Sequence, residues 1–204
     1  GAAAWGGSEG GVPGGGPAGM RAARTAADRG HTVTLFEKTG ELGGELKFAT
    51  YVSFKWPLRE YKDYLIAQVG KKQGVTVKLN TEATPDDVKG YDVVIAAVGA
   101  SPVVPPIPGI QAALPPCDSY GKEDTLGHEV VVIGGGVIGL ELACAYAAFG
   151  TKLTVVAALD HMLPMLDGDL TAIGVKHMKQ MGMAFNLECP AQAVEAAPEG
   201  ATAV

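Results

Sequence analysis

Apolar residues recur along the chain in short blocks separated by glycine- and proline-rich breaks, and the blocks alternate between strand-like and helix-like spacing. Thr32 to Glu37 (Thr-Val-Thr-Leu-Phe-Glu) reads as a buried-type strand, Val75 to Leu79 as another, and Tyr91 to Val98 as a third that ends at Gly99. Between them, Pro57 to Gly70 carries Leu58, Tyr61, Leu65 and Val69 near one face, which is helical spacing. Thr39 to Thr50 is a loop containing Leu42-Gly43-Gly44, and Thr84-Pro85-Asp86-Asp87 is a helix start or turn. A proline-rich crossing runs from Pro102 to Pro116, and the alternation then resumes. Glu129 to Ile133 is a continuous apolar strand of the kind a parallel sheet covered on both faces requires. Val137 to Phe149 reads as a helix ended by Gly150, Leu153 to Val156 as a strand, and Asp169 to Met181 as a helix weakened by Gly174. Phe185 to Glu188 and Ala193 to Ala196 are short strands. Strands alternating with helices predict an α/β protein.

The breaks carry the chemistry. Gly14-Gly15-Gly16-Pro17-Ala18-Gly19 and Gly134-Gly135-Gly136-Val137-Ile138-Gly139 both read G-x-G-x-x-G, 120 residues apart. The echo continues through Gly30 and Gly150 and through Thr34 and Thr154. Each copy leads into an apolar helix and then an apolar strand. In such a turn the first glycine permits the tight strand-to-helix bend, the second removes a Cβ from the path of a pyrophosphate, and the third lets helix and strand pack closely. The helix start then offers N–H groups and a partial positive charge to phosphate. The predicted architecture is therefore α/β with two Rossmann-like dinucleotide-binding units, at residues 12–110 and 128–204, joined by a linker at 111–127.

The two copies differ in their flanks. Copy one is preceded by Glu9-Gly10-Gly11-Val12-Pro13, a poor strand because proline cannot donate to a central ladder. Residues Gly1 to Gly11 read as a tag or linker outside the fold; they lack the charged and apolar regions of a secretory signal. Eighteen residues past the last glycine, copy one has Glu37, placed to accept hydrogen bonds from ribose hydroxyls, whereas copy two has Ala157. An acid at that place selects NAD and a nearby arginine favours NADP. Ala157 does neither, no arginine follows it, and His161 is the only candidate cation. Weak discrimination between NADH and NADPH follows, and Ala157→Glu is expected to shift preference toward NADH. Glu141, early in the second helix, suits the helix dipole and is a candidate to approach a nicotinamide or flavin.

Composition narrows the classes. The 204 residues carry 47% hydrophobic content, enough for a core. A net charge of −6 gives no support for nucleic-acid binding. No apolar run reaches the length of a membrane span. Cys117, Cys144 and Cys189 are far apart and odd in number, which reads as reduced thiols of a cytoplasmic protein. His31, His128 and His177 show no metal-ligand spacing and read as surface residues, and no metal site is expected.

Several stretches resemble a known group. Gly14 to Met20, followed by Leu35-Phe36-Glu37-Lys38 and Glu41-Leu42-Gly43-Gly44, is similar to the flavin half of the 2,4-dienoyl-CoA reductase and enoate reductase group. Ala97 to Pro102, Pro106 to Gly109 and Tyr120 to Asp124 fit the same group, while Gly150 to Leu170 is more similar to dihydrolipoamide dehydrogenase. Both lie in the two-dinucleotide-binding flavoprotein superfamily. The resemblance implies FAD on the first unit, with Gly14, Gly16, Gly19, Glu37, Gly43, Gly44 and Gly99 at the flavin nucleotide; Pro17, Ala18 and Lys38, which adjoin them, are further cofactor-binding candidates. It implies NAD(P)H on the second, lined by Gly134, Gly136, Ile138, Gly139 and Ala157, to which Glu141 is added from its place in the helix.

The departures are also informative. Glu45 to Thr50 lacks the cysteine pair that disulfide reductases place after their Leu-Gly-Gly segment. The FMN barrel, iron–sulfur cysteines and closing flavin segment of the reductase group are absent from these 204 residues. The flavin unit is thus expected to be incomplete and the chain a fragment or subunit. The expected function is hydride transfer from NAD(P)H to flavin with no catalytic side chain, the final acceptor lying on another domain or subunit. The alternative is a non-catalytic unit that binds an adenine nucleotide such as ADP.

Overall fold

Glu9–Pro13 forms a parallel strand, β1, at the centre of a four-stranded sheet. The computed structural model describes residues 7–50, 53–197 and 200–204. The chain divides into two units, residues 1–101 and 102–204, so the division falls at the N-terminal edge of the proline-rich crossing.

In the first unit, β1 leads into helix α1 (Pro17–Asp28) and strand β2 (Thr32–Phe36). Helix α2 (Trp56–Lys71), strand β3 (Val75–Lys78), the short helix α3 (Pro85–Val88) and strand β4 (Val93–Val94) follow. The sheet order is β3-β2-β1-β4, all parallel. Met20 and Ala23 of α1 pack with Leu65 and Val69 of α2 onto Val12, Val33 and Leu35. Thr84 caps α3 reciprocally with Asp87: the Thr84 N–H and hydroxyl both donate to the Asp87 carboxylate.

Two expectations for this unit are corrected. Residues 9–11, read as tag or linker, are part of the central strand; residues 1–6 of that reading lie outside the described residues. Gly11 is a packing requirement, since a Cβ there would come within 3.1 Å of the Tyr91 ring, whereas one on Gly10 would meet nothing closer than 3.8 Å. The strand expected over 91–98 is regular only at Val93–Val94. Beyond it the chain stays beside β1: Ile95 N–H donates to Gly11 O and Ala97 N–H to Pro13 O. With Gly11 opposite Val94, a residue 13 with an N–H would donate to Ile95, and proline has none, so the regular ladder stops there.

In the second unit, a short helix α4 (Pro116–Ser119) precedes strand β5 (Glu129–Ile133), helix α5 (Val137–Ala148) and strand β6 (Lys152–Val156). Helix α6 (Gly168–Gln180) and strand β7 (Ala184–Asn186) complete a parallel sheet of order β5-β6-β7. Val194–Ala197 (β8) and Gly200–Ala203 (β9), the latter not foreseen, pair antiparallel. Leu140, Ala143 and Tyr146 of α5 pack onto Leu153, Val155, Met162 and Met183, and the Tyr146 hydroxyl donates to Ser119 O. The expectation that β5 is covered on both faces is not met: it lies at a sheet edge and Val131 is 47% exposed.

Candidate functional site

Each unit builds the same backbone at the tip of its first strand. In the first, Gly14 N–H donates to Phe36 O, Met20 N–H to Gly16 O, and Gly43 N–H to Gly15 O. In the second, Gly134 N–H donates to Val156 O, Leu140 N–H to Gly136 O, and Leu163 N–H to Gly135 O. Gly14 (φ +104°) and Gly134 (φ +115°) hold the bend in a conformation L side chains rarely adopt. A Cβ on Gly19 would strike Gly14 O, and one on Gly139 would lie 2.6 Å from Gly134 O. The last glycine of each turn is therefore needed for helix and turn to touch.

The middle glycines differ from these. A Cβ on Gly16 would meet only Gly44 Cα, at 3.9 Å, and one on Gly136 would meet nothing within 4 Å. Neither α1 nor α5 receives a side-chain cap, so the first-turn N–H groups remain available to an external acceptor. Pro17 and the exposed Ala18 begin α1; the exposed Ile138 and Glu141 lie early in α5. Open space beside uncapped helix starts fits the phosphates of a dinucleotide.

Sequence reasoning missed Gly15 and Gly135, although both copies read three glycines in a row. Gly15 N–H donates to Glu37 Oε2 at 2.8 Å. Thr39 donates both its N–H and its hydroxyl to Glu37 Oε1, each at 2.8 Å. Glu37 is 7% exposed. Burial opposes its charge, but the two Thr39 donors, the Gly15 N–H and nearby Lys38 outweigh it and hold the carboxyl below the usual range. Two oxygens offer more acceptor sites than these three donors use, so the ribose role expected of Glu37 remains available. Leu42 closes the seat, its Cδ2 2.5 Å from where a Gly15 Cβ would stand.

Gly43 and Gly44 lie against this turn, since a Cβ on Gly44 would come 2.9 Å from Gly16 Cα. The stem of Lys62 rests on Gly43. Lys38 and Gly99 are exposed, Gly99 at φ +73° beyond β4. In the second unit Ala157 is buried at 6% exposure beneath Met162, whose sulfur sits where a Gly135 Cβ would be. His161 Nδ1 and Asp160 Oδ1 pair at 2.5 Å on the exposed loop beyond, and His161 holds the Asp160 carboxyl below its usual range. The three cysteines are free. Among the described residues no cluster of three metal-ligating side chains forms, and no helix is long and apolar enough to cross a membrane.

Two parallel α/β units, each with a G-x-G-x-x-G turn at the tip of its first strand, define the two-dinucleotide fold class. The chain belongs to the pyridine nucleotide-disulphide oxidoreductase family, which it matches over residues 12–204. It is 37% identical over 153 residues to an NADH oxidase of Thermoanaerobacter brockii, covering 69% of this chain and 23% of that protein. It is 37% identical over 147 residues to a cinnamate reductase of Clostridium sporogenes, covering 71% of this chain and 22% of that protein. Among solved structures, a 2-naphthoyl-CoA reductase complex matches with a TM-score of 0.67 and 31% identity over 98% of this chain and 32% of that one. A HOCl-induced flavoprotein disulfide reductase of Escherichia coli shares the fold, with a TM-score of 0.76 and 20% identity over 98% of this chain and 53% of that one. The chain thus spans under a quarter of the length of these two curated relatives. Family membership implies FAD and NAD(P)H as cofactors.

Proposed function

We propose that the chain is the hydride-transfer module of an FAD-dependent NAD(P)H oxidoreductase, with FAD held at the first turn and NAD(P)H at the second. The observation that carries this reading is the pair of open middle glycines, Gly16 and Gly136, each beside an uncapped helix start. When bound, FAD supplies the redox chemistry by taking up a hydride from NAD(P)H. The chain's own work is to bind and orient. The starts of α1 and α5 hold pyrophosphate, Glu37 holds the first ribose, and the Gly43-Gly44 loop keeps the first turn in place. Gly99, Lys38, Ile138 and Glu141 complete the two linings.

No protein acid or base is needed for this step, and none is assigned. The segment after Gly44 contains no cysteine, which argues against disulfide reduction. The relatives act as an NADH oxidase and a cinnamate reductase, which supports an electron acceptor held on a further domain or subunit. Three unpaired thiols support a reducing, cytoplasmic setting.

The test is a visible spectrum of the purified chain, followed by anaerobic addition of NADH or NADPH. A flavin band that bleaches supports the module. A colourless protein that releases only adenine nucleotide on denaturation overturns it in favour of a non-catalytic nucleotide-binding unit.

A further inference from the structure

The seat of Glu37 is built on a pinned main chain. Glu37 N–H donates to Lys78 O, Thr81 N–H to Glu37 O and Asn80 N–H to Thr39 O, at 2.8–2.9 Å. The end of β3 and the residues after it thereby hold the backbone at both 37 and 39. On that frame the two carboxylate oxygens are used unequally. Oε1 accepts the N–H and the hydroxyl of Thr39, whereas Oε2 accepts the Gly15 N–H. A carboxylate oxygen takes about two hydrogen bonds, so Oε1 is filled and Oε2 has room for one more.

A ribose presents two neighbouring hydroxyls. One fits the room at Oε2. The other needs Oε1, which opens only when the Thr39 hydroxyl lets go. The Thr39 N–H is fixed with the main chain, but the hydroxyl hydrogen turns about the Cβ–Oγ1 bond. That oxygen lies 2.8 Å from Glu37 Oε1 and 2.9 Å from Glu41 O. A hydroxyl carries one hydrogen, so it serves one of these acceptors at a time. Passing the hydrogen from Oε1 to Glu41 O moves no heavy atom.

We infer that Thr39 is a positioning residue for the first site: its hydroxyl holds Glu37 Oε1 while the seat is empty and turns to Glu41 O when a ribose hydroxyl takes that place. The inference rests on the first turn holding the adenine nucleotide of FAD through Glu37. In the empty seat the hydroxyl bonds a charged acceptor, and in the filled seat a neutral one. Hydrogen bonds to charged groups are the stronger, so displacing Thr39 offsets part of what the ribose gains. The hydroxyl therefore softens the preference for a ribose over a sugar without hydroxyls, and removing it sharpens that preference. A residue that only braced Glu37 would act in the opposite sense, because its loss would loosen the carboxylate and blunt the preference.

The experiment carries Gly136→Ala throughout, so that titrations report the first turn, and compares Thr39 with Thr39→Val, Thr39→Ala and Thr39→Ser. It measures thermal midpoints without nucleotide and dissociation constants for ADP and 2′,3′-dideoxy-ADP. Thr39→Val and Thr39→Ala, which lack the hydroxyl, are expected to melt lower. Both should still raise the preference for ADP over the dideoxy nucleotide by about fivefold, the difference between a charged and a neutral acceptor. Thr39→Ser keeps the hydroxyl and is expected to keep the ratio of the Thr39 chain. Hydroxyl-free variants whose ratio stays within about twofold of that chain's, or falls below it, overturn the inference and leave the ribose role of Glu37 standing. A Thr39→Ser ratio that rises with theirs also overturns it. If the Thr39 chain binds both nucleotides equally, or neither, the assignment of Glu37 to a ribose fails and the inference falls with it.

Discussion

Glu37 and Gly15 are joined by a 2.8 Å hydrogen bond in which the carboxylate accepts the main-chain N–H of the fingerprint turn. One side chain on β2 thereby fixes the turn that follows β1, and Thr39 fixes the same carboxylate from the other side.

Because Glu37's carboxyl is held below its usual range in the folded chain, its charge stabilises the fold above the unfolded value. That contribution is lost as pH falls through the folded value. Glu37→Gln is expected to cost about 1.5–3 kcal/mol near neutrality, the range for hydrogen bonds to a charged group. It should also flatten the loss of stability on acidification below about pH 4.5. Urea unfolding at several pH values checks both.

Adjacent glycines should separate folding from binding. Gly15→Ala puts a methyl 2.5 Å from Leu42 and 2.7 Å from the Glu37 carboxylate, so it is expected to lower the thermal midpoint. Gly16→Ala and Gly136→Ala add a methyl to open space, so both should melt with the parent. Each should instead lose nucleotide affinity, flavin for the first and NAD(P)H for the second, by about tenfold or more. Melting curves and nucleotide titrations on the same preparations decide this.

Glu188 holds a left-handed conformation in the place where the first unit uses Asn80. Asparagine tolerates that region better than glutamate, and Glu188 is exposed with its backbone already bonded. Glu188→Asn is expected to raise stability by about 0.5–1 kcal/mol, read as a higher midpoint in chemical denaturation.

Pro13 can be given the donor it lacks. Pro13→Val should create an amide that donates to Ile95 O and extends regular pairing past Val94. Hydrogen exchange is expected to find the new amide at 13 protected. Net stability should change by under about 1 kcal/mol, because the added bond is offset by a freer unfolded chain. Rapid exchange at 13 would show that the proline is not what ends the ladder.

Much of the fold was legible because it rests on local rules. Gly30 and Gly150, the apolar run of β2 and the spacing of Leu65 and Val69 fixed helix ends, a strand and a buried face without tertiary information. The first strand is hard to read because Gly11 is explained by a distant partner, Tyr91, that spacing along the chain does not reveal. The strand over 91–98 was overextended because its shortening depends on Pro13 across the sheet. At the candidate site the glycines and Glu37 were readable from the motif. Leu42 and Met162 were not, because their meaning comes from which atom stands over Gly15 or Gly135, and Thr39 was not, because it acts through its hydrogen bonds to Glu37.

The free margins of the two sheets bear on how the chain behaves in bulk. β4 ends the first sheet with Val93, Val94, Ile95 and Val98 exposed, and β5 ends the second with Val131 exposed. Unpaired strand edges flanked by branched apolar side chains are templates for pairing between molecules. A net charge of −6 opposes such contacts at low ionic strength and does so less as salt screens it. The colloidal state of the purified chain should therefore depend on concentration and salt, with lysines introduced along β4 as the direct means of keeping it dispersed.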